Sequence, residues 1–309
     1  MKVVVFRLIL WCLLPICCFA SDKSLQLKHY YCTASDDKYY NCLLNLIGSI
    51  HKVDFDNLGE IAVFDLGLTE KQKQQLAQIM HVRVYAVEMT NPRLLEHVVT
   101  ASNGRKVRGS FAWKPVIIKQ ALEKFPEILY LDAGTTVLKP LDCLFQYIHE
   151  NGYFLMSCSA EPHNNIVNRV TKKVFNNIIK PLEQSVQNHL LAENTISIDA
   201  GMQGISRAML KTYILPMYEH SKDLALFEDD GSARYGYGAG RHDQILFSIY
   251  AHCLNLKIHD EGLITLKINN QSKHIHIHNE HVTENTYIYR SREDINFQGG
   301  KTQFIRYSA

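Results

Sequence analysis

Apolar positions in the first half of the chain switch between two periods. From Lys38 to Ile50, Leu43, Leu46, Ile47 and Ile50 recur at helical spacing. Lys28 to Thr33 and Ile61 to Leu66 instead read as strands, the second ending near Asp65 and Gly67. Thr69-Glu70-Lys71-Gln72 predicts a capping box, with Leu76, Ile79 and Met80 on the apolar face of the helix that follows. Val82 to Val87 is a third strand, and Pro92 to Ser110 a polar, basic loop around a short helix. Trp113-Lys114-Pro115 opens the next helix, with Pro115 suited to its first turn and Val116, Ile117, Ala121 and Leu122 facing the core. Ile128 to Leu131 is wholly apolar, as expected of a strand buried on both faces. Strands and helices alternating in this way predict βαβ units and a parallel sheet.

The second half is less regular. Tyr153 to Cys158, Thr195 to Ile198, Ile264 to Ile268 and His274 to His278 read as strands. Arg207 to Tyr218 and Asp243 to Cys253 read as helices, and Phe227 to Arg241, rich in Gly, Asp and Tyr, as a loop between them. There is no internal repeat, low-complexity tract or dividing linker. The expectation is one α/β domain over residues 21–309.

Residues 1–20 stand apart from that pattern. Lys2 precedes a largely apolar run from Val3 to Ala20, and its Leu8 to Phe19 core is short for a membrane span. A signal peptide cut after Ala20 is expected; an uncleaved anchor or a buried helix are the alternatives. Cleavage leaves no stable membrane span and directs the chain to the secretory lumen or the exterior. The formal charge of +2 then disappears with Lys2 and Arg7. A neutral chain with no long run of one sign argues against nucleic-acid binding and against a disordered charged tail. Five cysteines remain, Cys32, Cys42, Cys143, Cys158 and Cys253, so at least one thiol is left over after any internal pairing. Asn270-Gln271-Ser272 is a single glycosylation sequon.

Three local patterns could carry chemistry. Asp132 follows the apolar strand and precedes Ala133 and Gly134. Ligands of open α/β sheets bind outside the carboxyl ends of the strands, and small neighbours admit a phosphate or metal to the backbone. Asp199-Ala200-Gly201 repeats the pattern after Ile198, and Asp243-Gln244 opens a helix with an acceptor and an amide suited to sugar hydroxyls. Each also has a purely structural reading: a turn after Asp132, a turn at Asp199, a helix cap at Asp243.

Taken in order, these pieces resemble the GT-A nucleotide-sugar glycosyltransferases, in particular family-eight-like members, over about residues 28 to 260. Tyr31-Cys32-Thr33-Ala34-Ser35-Asp36 resembles the first strand and the loop that receives the nucleoside, which implies Ala34 and Ser35 as donor contacts. Asn45 to Ile50 resembles the first helix, Asp65-Leu66-Gly67-Leu68-Thr69 the second strand and its cap, and Phe111 to Pro115 the helix before the metal motif. Leu131-Asp132-Ala133-Gly134 stands where the family has Asp-x-Asp, Asp199-Ala200-Gly201-Met202 resembles its acceptor-side Asn-Ala-Gly, and His242-Asp243-Gln244 its Asp-Gln motif. The resemblance implies a single GT-A-like (Rossmann-like) domain whose mostly parallel mixed sheet is flanked by helices. It implies transfer of a sugar, of hexosyl type, from a nucleotide-diphosphate donor to a hydroxyl of a glycan, lipid or protein. Lys114, Asp132, Gly134, Gly201 and Gln244 would line the donor, and Asp199 and Asp243 would be the catalytic carboxylates.

Gly134 replaces the second Asp of the metal motif. A Mn²⁺ or Mg²⁺ ion would then rest on Asp132 and on a late histidine, for which His278 is the best match. In His274-Ile275-His276-Ile277-His278 the imidazoles share one strand face, which also reads as a half-exposed strand with polar His outward. Without a metal, Arg105, Lys106, Arg108 and Lys114 are the expected cations for the departing diphosphate. A secreted binding protein of the same fold without turnover, and a metal-dependent hydrolase using the His strand, are the competing readings.

Overall fold

The computed structural model describes residues 27–99, 106–158, 162–240, 242–278, 282–291 and 301–308. The expected leader and Arg105 fall outside them. The strands in chain order are β1 (His29–Ser35), β2 (Leu58–Asp65), β3 (Val82–Ala86), β4 (His97–Val99), β5 (Lys106–Arg108), β6 (Glu127–Leu131), β7 (Thr136–Val137), β8 (Tyr153–Ser157), β9 (Ile198–Ser206), β10 (Ile258–His259), β11 (Gly262–Ile268), β12 (Gln271–His278) and β13 (Thr286–Tyr289). Five helices of eight or more residues accompany them: α1 (Tyr40–Asp54), α2 (Glu70–Ala77), α3 (Trp113–Lys124), α4 (Asp142–Asn151) and α5 (His242–Cys253).

Seven strands form the main sheet in the order β10-β8-β9-β6-β1-β2-β3. β3, β2, β1 and β6 pair in parallel, while β9 runs antiparallel between β6 and β8. The mixed, mostly parallel α/β sheet is as the sequence pattern implied. Two apolar clusters cover its faces: one gathers α3 and α5 with Tyr130 and Phe247, the other α1 and α4 with Leu43 and Phe145.

Local chemistry sets the elements. Thr69 Oγ1 accepts the Gln72 N–H and Gln72 Oε1 accepts the Thr69 N–H, completing the expected capping box before α2. All residues of β6 are buried, consistent with a strand covered on both faces. Gly152 closes α4 in the left-handed region at φ 85°. Among its described residues the stretch after Pro92 adds an element the sequence reading lacked, the antiparallel β4–β5 pair. The β-branched Val98, Val99 and Val107 favour the extended ladder.

A smaller sheet, β11-β12-β13-β7, packs against α4 through β11 and against α1 through β7. Asn269 and Asn270 carry φ of 47° and 61° in the turn between β11 and β12, a two-residue hairpin turn of the kind Asn tolerates. The sequon Asn270 is therefore on an exposed tip. Among the described residues no disulfide forms, and no helix is long and apolar enough to cross a membrane.

Candidate functional site

β6 delivers Asp132 to the carboxyl end of the parallel strands. Cys32 of β1 lies beside Tyr130 of β6, so two residues further on Ala34 stands level with Asp132. Ala34 and Ser35 thus share the rim with Asp132, and Ser35 Oγ donates to the Asp36 carbonyl. Asp199 reaches the same rim by a different route from the one its sequence suggested. Residues 195–198 do not form a strand that ends at Asp199; β9 begins at Ile198 and runs through Ser206. Because β9 is antiparallel to β6, its start lies beside the end of β6, and the Asp132 N–H donates to the Gly201 carbonyl at 2.9 Å. The buried apolar run of β9 continues through Gly201 and Gly204, which periodicity alone does not mark as strand.

Lys114 links the carboxylates. It projects from the first turn of α3 and is 3% exposed. Its Nζ lies 3.3 Å from Asp132 Oδ1, 3.0 Å from Asp243 Oδ2 and 3.0 Å from the Ala200 carbonyl, over the Tyr130 ring. Burial pulls the Lys114 pKa down, but Asp132 and Asp243 outweigh it and the ammonium is held above its usual value. Burial pushes the Asp243 carboxyl up to about 6, with Lys114 opposing the shift. Asp243 Oδ2 accepts no well-angled hydrogen bond, although the ammonium is close. Asp132 is the open member, with 40% of its side chain exposed. Burial raises its pKa, but Lys114 and Arg290 outweigh that and hold it below the ordinary value, and Tyr130 Oη donates to its Oδ1 at 2.6 Å.

Arg290 completes the cluster, and the sequence carried no local signal for it. β13 pairs with β7 directly after the Asp132–Thr135 turn, and Arg290 follows the last residue of β13. Its guanidinium donates to Asp199 Oδ1, which also accepts the Gly201 N–H at 2.8 Å. Burial opposes its charge, yet Asp199 and Asp132 hold the pKa above its usual value. Gly201 makes room for it: a Cβ there would stand 2.1 Å from Arg290 Nη2 and 2.6 Å from Asp132 Oδ2. Ser291 anchors the same arm, its Oγ lying 2.8 Å from Thr136 Oγ1 and donating to the Gly134 carbonyl at 3.2 Å.

The remaining expected residues sort clearly. Gly134 sits in the turn beneath Ser291. The Gln244 amide donates to Cys158 Sγ at 2.7 Å, so its Nε2 is already engaged. Asp229 orders the loop before α5, accepting the N–H groups of Gly231, Gly238 and Gly240. Arg108 is spent elsewhere, 3.3 Å from Asp36 and donating to the Leu95 carbonyl, and Lys106 is exposed on the β4–β5 hairpin. In β12, Ile275 and Ile277 are buried and His274 is exposed, so the isoleucines face the core. The His278 backbone pairs with Tyr289; its side chain lies outside the described part of the structure.

No protein-family model matches the chain, and no curated protein matches it in sequence. Solved structures do. Core-mannan synthase A from Aspergillus fumigatus, in its Mn/GDP form, aligns with a TM-score of 0.50 at 10% identity, over 76% of this chain and 73% of that one. The fold is GT-A. Mouse xyloside xylosyltransferase 1 aligns at 13% identity and a TM-score of 0.46, over 86% and 98% of the two chains. LgtC, as an active-site mutant, aligns at 16% and 0.44, over 75% and 72%.

Hard cations take oxygen ligands and favour carboxylates. Here Gly134 offers no side chain, and Asp132 already faces Lys114 and Arg290. A dication placed there would have to displace Lys114 or Arg290 from carboxylates they already pair with. The described side chains around Asp132 do not fit it. The one group of three metal-ligating side chains among the described residues is His29, Asp54 and Asp142, whose ligating atoms lie within 4.8 Å of one another. His29 starts β1 and Ser35 ends it, so this group is about 20 Å from the rim, at about 3.3 Å per residue.

Proposed function

We propose that this chain is a glycosyltransferase that moves a sugar, of hexosyl type, from a nucleotide-diphosphate donor to a hydroxyl on a glycan, lipid or protein. The observation that carries the reading is the half-open Asp132 carboxylate at the end of β6, flanked by Lys114 and Arg290 on a GT-A rim. The nucleoside lies along Ala34 and Ser35, and Asp132 faces the donor ribose or sugar. The C1–oxygen bond to the diphosphate breaks with its electron pair leaving on the phosphate. Lys114 and Arg290 stabilise that charge where it develops. The acceptor oxygen bonds to C1 and gives its proton to Asp243, whose carboxyl near 6 suits exchange around neutral pH.

The Val3 to Ala20 run supports an extracytoplasmic or secretory-lumen site of action, and the absence of a repeat or linker supports one catalytic domain over residues 21–309. The test is incubation with UDP- and GDP-linked sugars, reading nucleoside diphosphate release and glycoside product by mass spectrometry. Asp132→Asn should lower the rate by about a hundredfold or more. An unchanged rate would remove Asp132 from the site. Activity should rise with pH through about 6 as Asp243 ionises, and Asp243→Asn should abolish that limb.

A further inference from the structure

We propose that Arg290 is a built-in replacement for the divalent cation at the donor diphosphate, so that this chain binds the diphosphate without metal. The inference rests on the transferase reading for the identity of the ligand, but its geometry is independent of that reading. Three observations converge. The position of the second metal-motif carboxylate is Gly134, and Ser291 ties this turn to the arm that bears Arg290. The guanidinium is paired with Asp199 on one side and is near enough to Asp132 to lower its pKa, leaving 23% of the Arg290 side chain exposed toward the rim. Gly201 leaves the space beneath it, because a Cβ there would displace its Nη2 from this position.

The chemistry suits the role. A guanidinium presents a planar fork of donors matched to phosphate oxygens and stays charged at any physiological pH. Lys114, fixed between Asp132 and Asp243, adds a second positive charge. Lys114 is shared between two carboxylates and Arg290 faces chiefly Asp199, so of the two cations Arg290 is the less neutralised and the more exposed. Arg290 touches the leaving group and is, in this proposal, a catalytic residue.

The probes are inorganic pyrophosphate, UDP and GDP, titrated calorimetrically into the full chain in EDTA and again in Mn²⁺. Equal affinity within about twofold in the two buffers is expected. Arg290→Gln should weaken pyrophosphate binding in EDTA by about tenfold or more, and Arg290→Lys should restore part of it. Arg290→Gln leaves Asp199 buried without its partner, so the Asp199→Asn/Arg290→Gln double variant supplies a neutral pair that keeps the fold. Gly201→Ala should act in the same direction by displacing the guanidinium. Tight binding that needs Mn²⁺, with Arg290→Gln unchanged, overturns the proposal even if sugar transfer occurs. Arg290-dependent pyrophosphate binding in EDTA without turnover of any nucleotide sugar would uphold it and overturn the transferase reading instead. Absence of binding by all three probes in EDTA overturns it outright.

Discussion

Two buried polar clusters stand at opposite ends of β1, and they differ in kind. At the amino end, Asp54 is sealed from solvent, accepts from Tyr31 Oη, and lies 2.8 Å from His29 Nδ1, whose ring stacks on Phe145. Burial first, and the Asp54 charge second, push the Tyr31 hydroxyl well above its usual pKa. Polar atoms there face one another and the cluster is closed. At the carboxyl end, Lys114 and Arg290 join Asp132, Asp199 and Asp243, and one carboxylate remains open to solvent. A closed polar cluster spends its hydrogen bonds on the fold, whereas an open one keeps charge available for a ligand. Of His29, Asp54 and Asp142 only Asp142 is exposed, and the two buried members are already spent on each other, so possessing the ligand types for a metal is a weaker sign of function than an open cluster of charges.

The strongest test of this contrast is Lys114→Met. It leaves Asp132 and Asp243 facing each other without their shared cation, and should cost about 3–5 kcal/mol in urea denaturation. The sign with pH follows from Asp243. A carboxyl whose folded pKa lies above its unfolded value loses stability as pH rises, and without Lys114 that pKa rises further. The deficit should therefore widen above pH 6; a deficit that shrinks with pH would show that Lys114 does not neutralise Asp243.

A paired comparison comes next. Tyr31→Phe strips a donor from the sealed Asp54 and should cost about 1–3 kcal/mol. Tyr130→Phe removes a bond to the half-open Asp132, which water replaces, and should cost about 1 kcal/mol or less. Equal losses would erase the distinction between closed and open clusters. An effect as small is expected for Ser291→Ala, which removes the tie between the Arg290 arm and the Gly134 turn. About 1 kcal/mol of stability should go with it, and diphosphate affinity should fall more than stability if the arm is what aims Arg290.

Most of the fold could be read from periodicity, because α1, α3, β2 and β6 carry their burial pattern in consecutive residues. Asp132, Asp199 and Asp243 were also legible, since each sits beside small residues or at a helix start. The direction of β9 was not: Asp-Ala-Gly after Ile196-Ser197-Ile198 looks like a strand end, and only pairing with β6 and β8 reveals a strand start. Arg290 was invisible for a stronger reason. Its role depends on β13 meeting β7 across about 150 residues of chain, a long-range pairing that leaves no mark in the sequence around Tyr289 and Ser291.

The loop before α5 has one further consequence. Asp229 gathers three backbone N–H groups, and the chain it holds presents Tyr235 and Tyr237 to solvent at 62% and 41% exposure. A segment already cinched around one carboxylate has little wandering left to surrender when a partner settles on it. Its backbone is tied in place before any contact is made, so the free energy of that contact is not drained by ordering the loop.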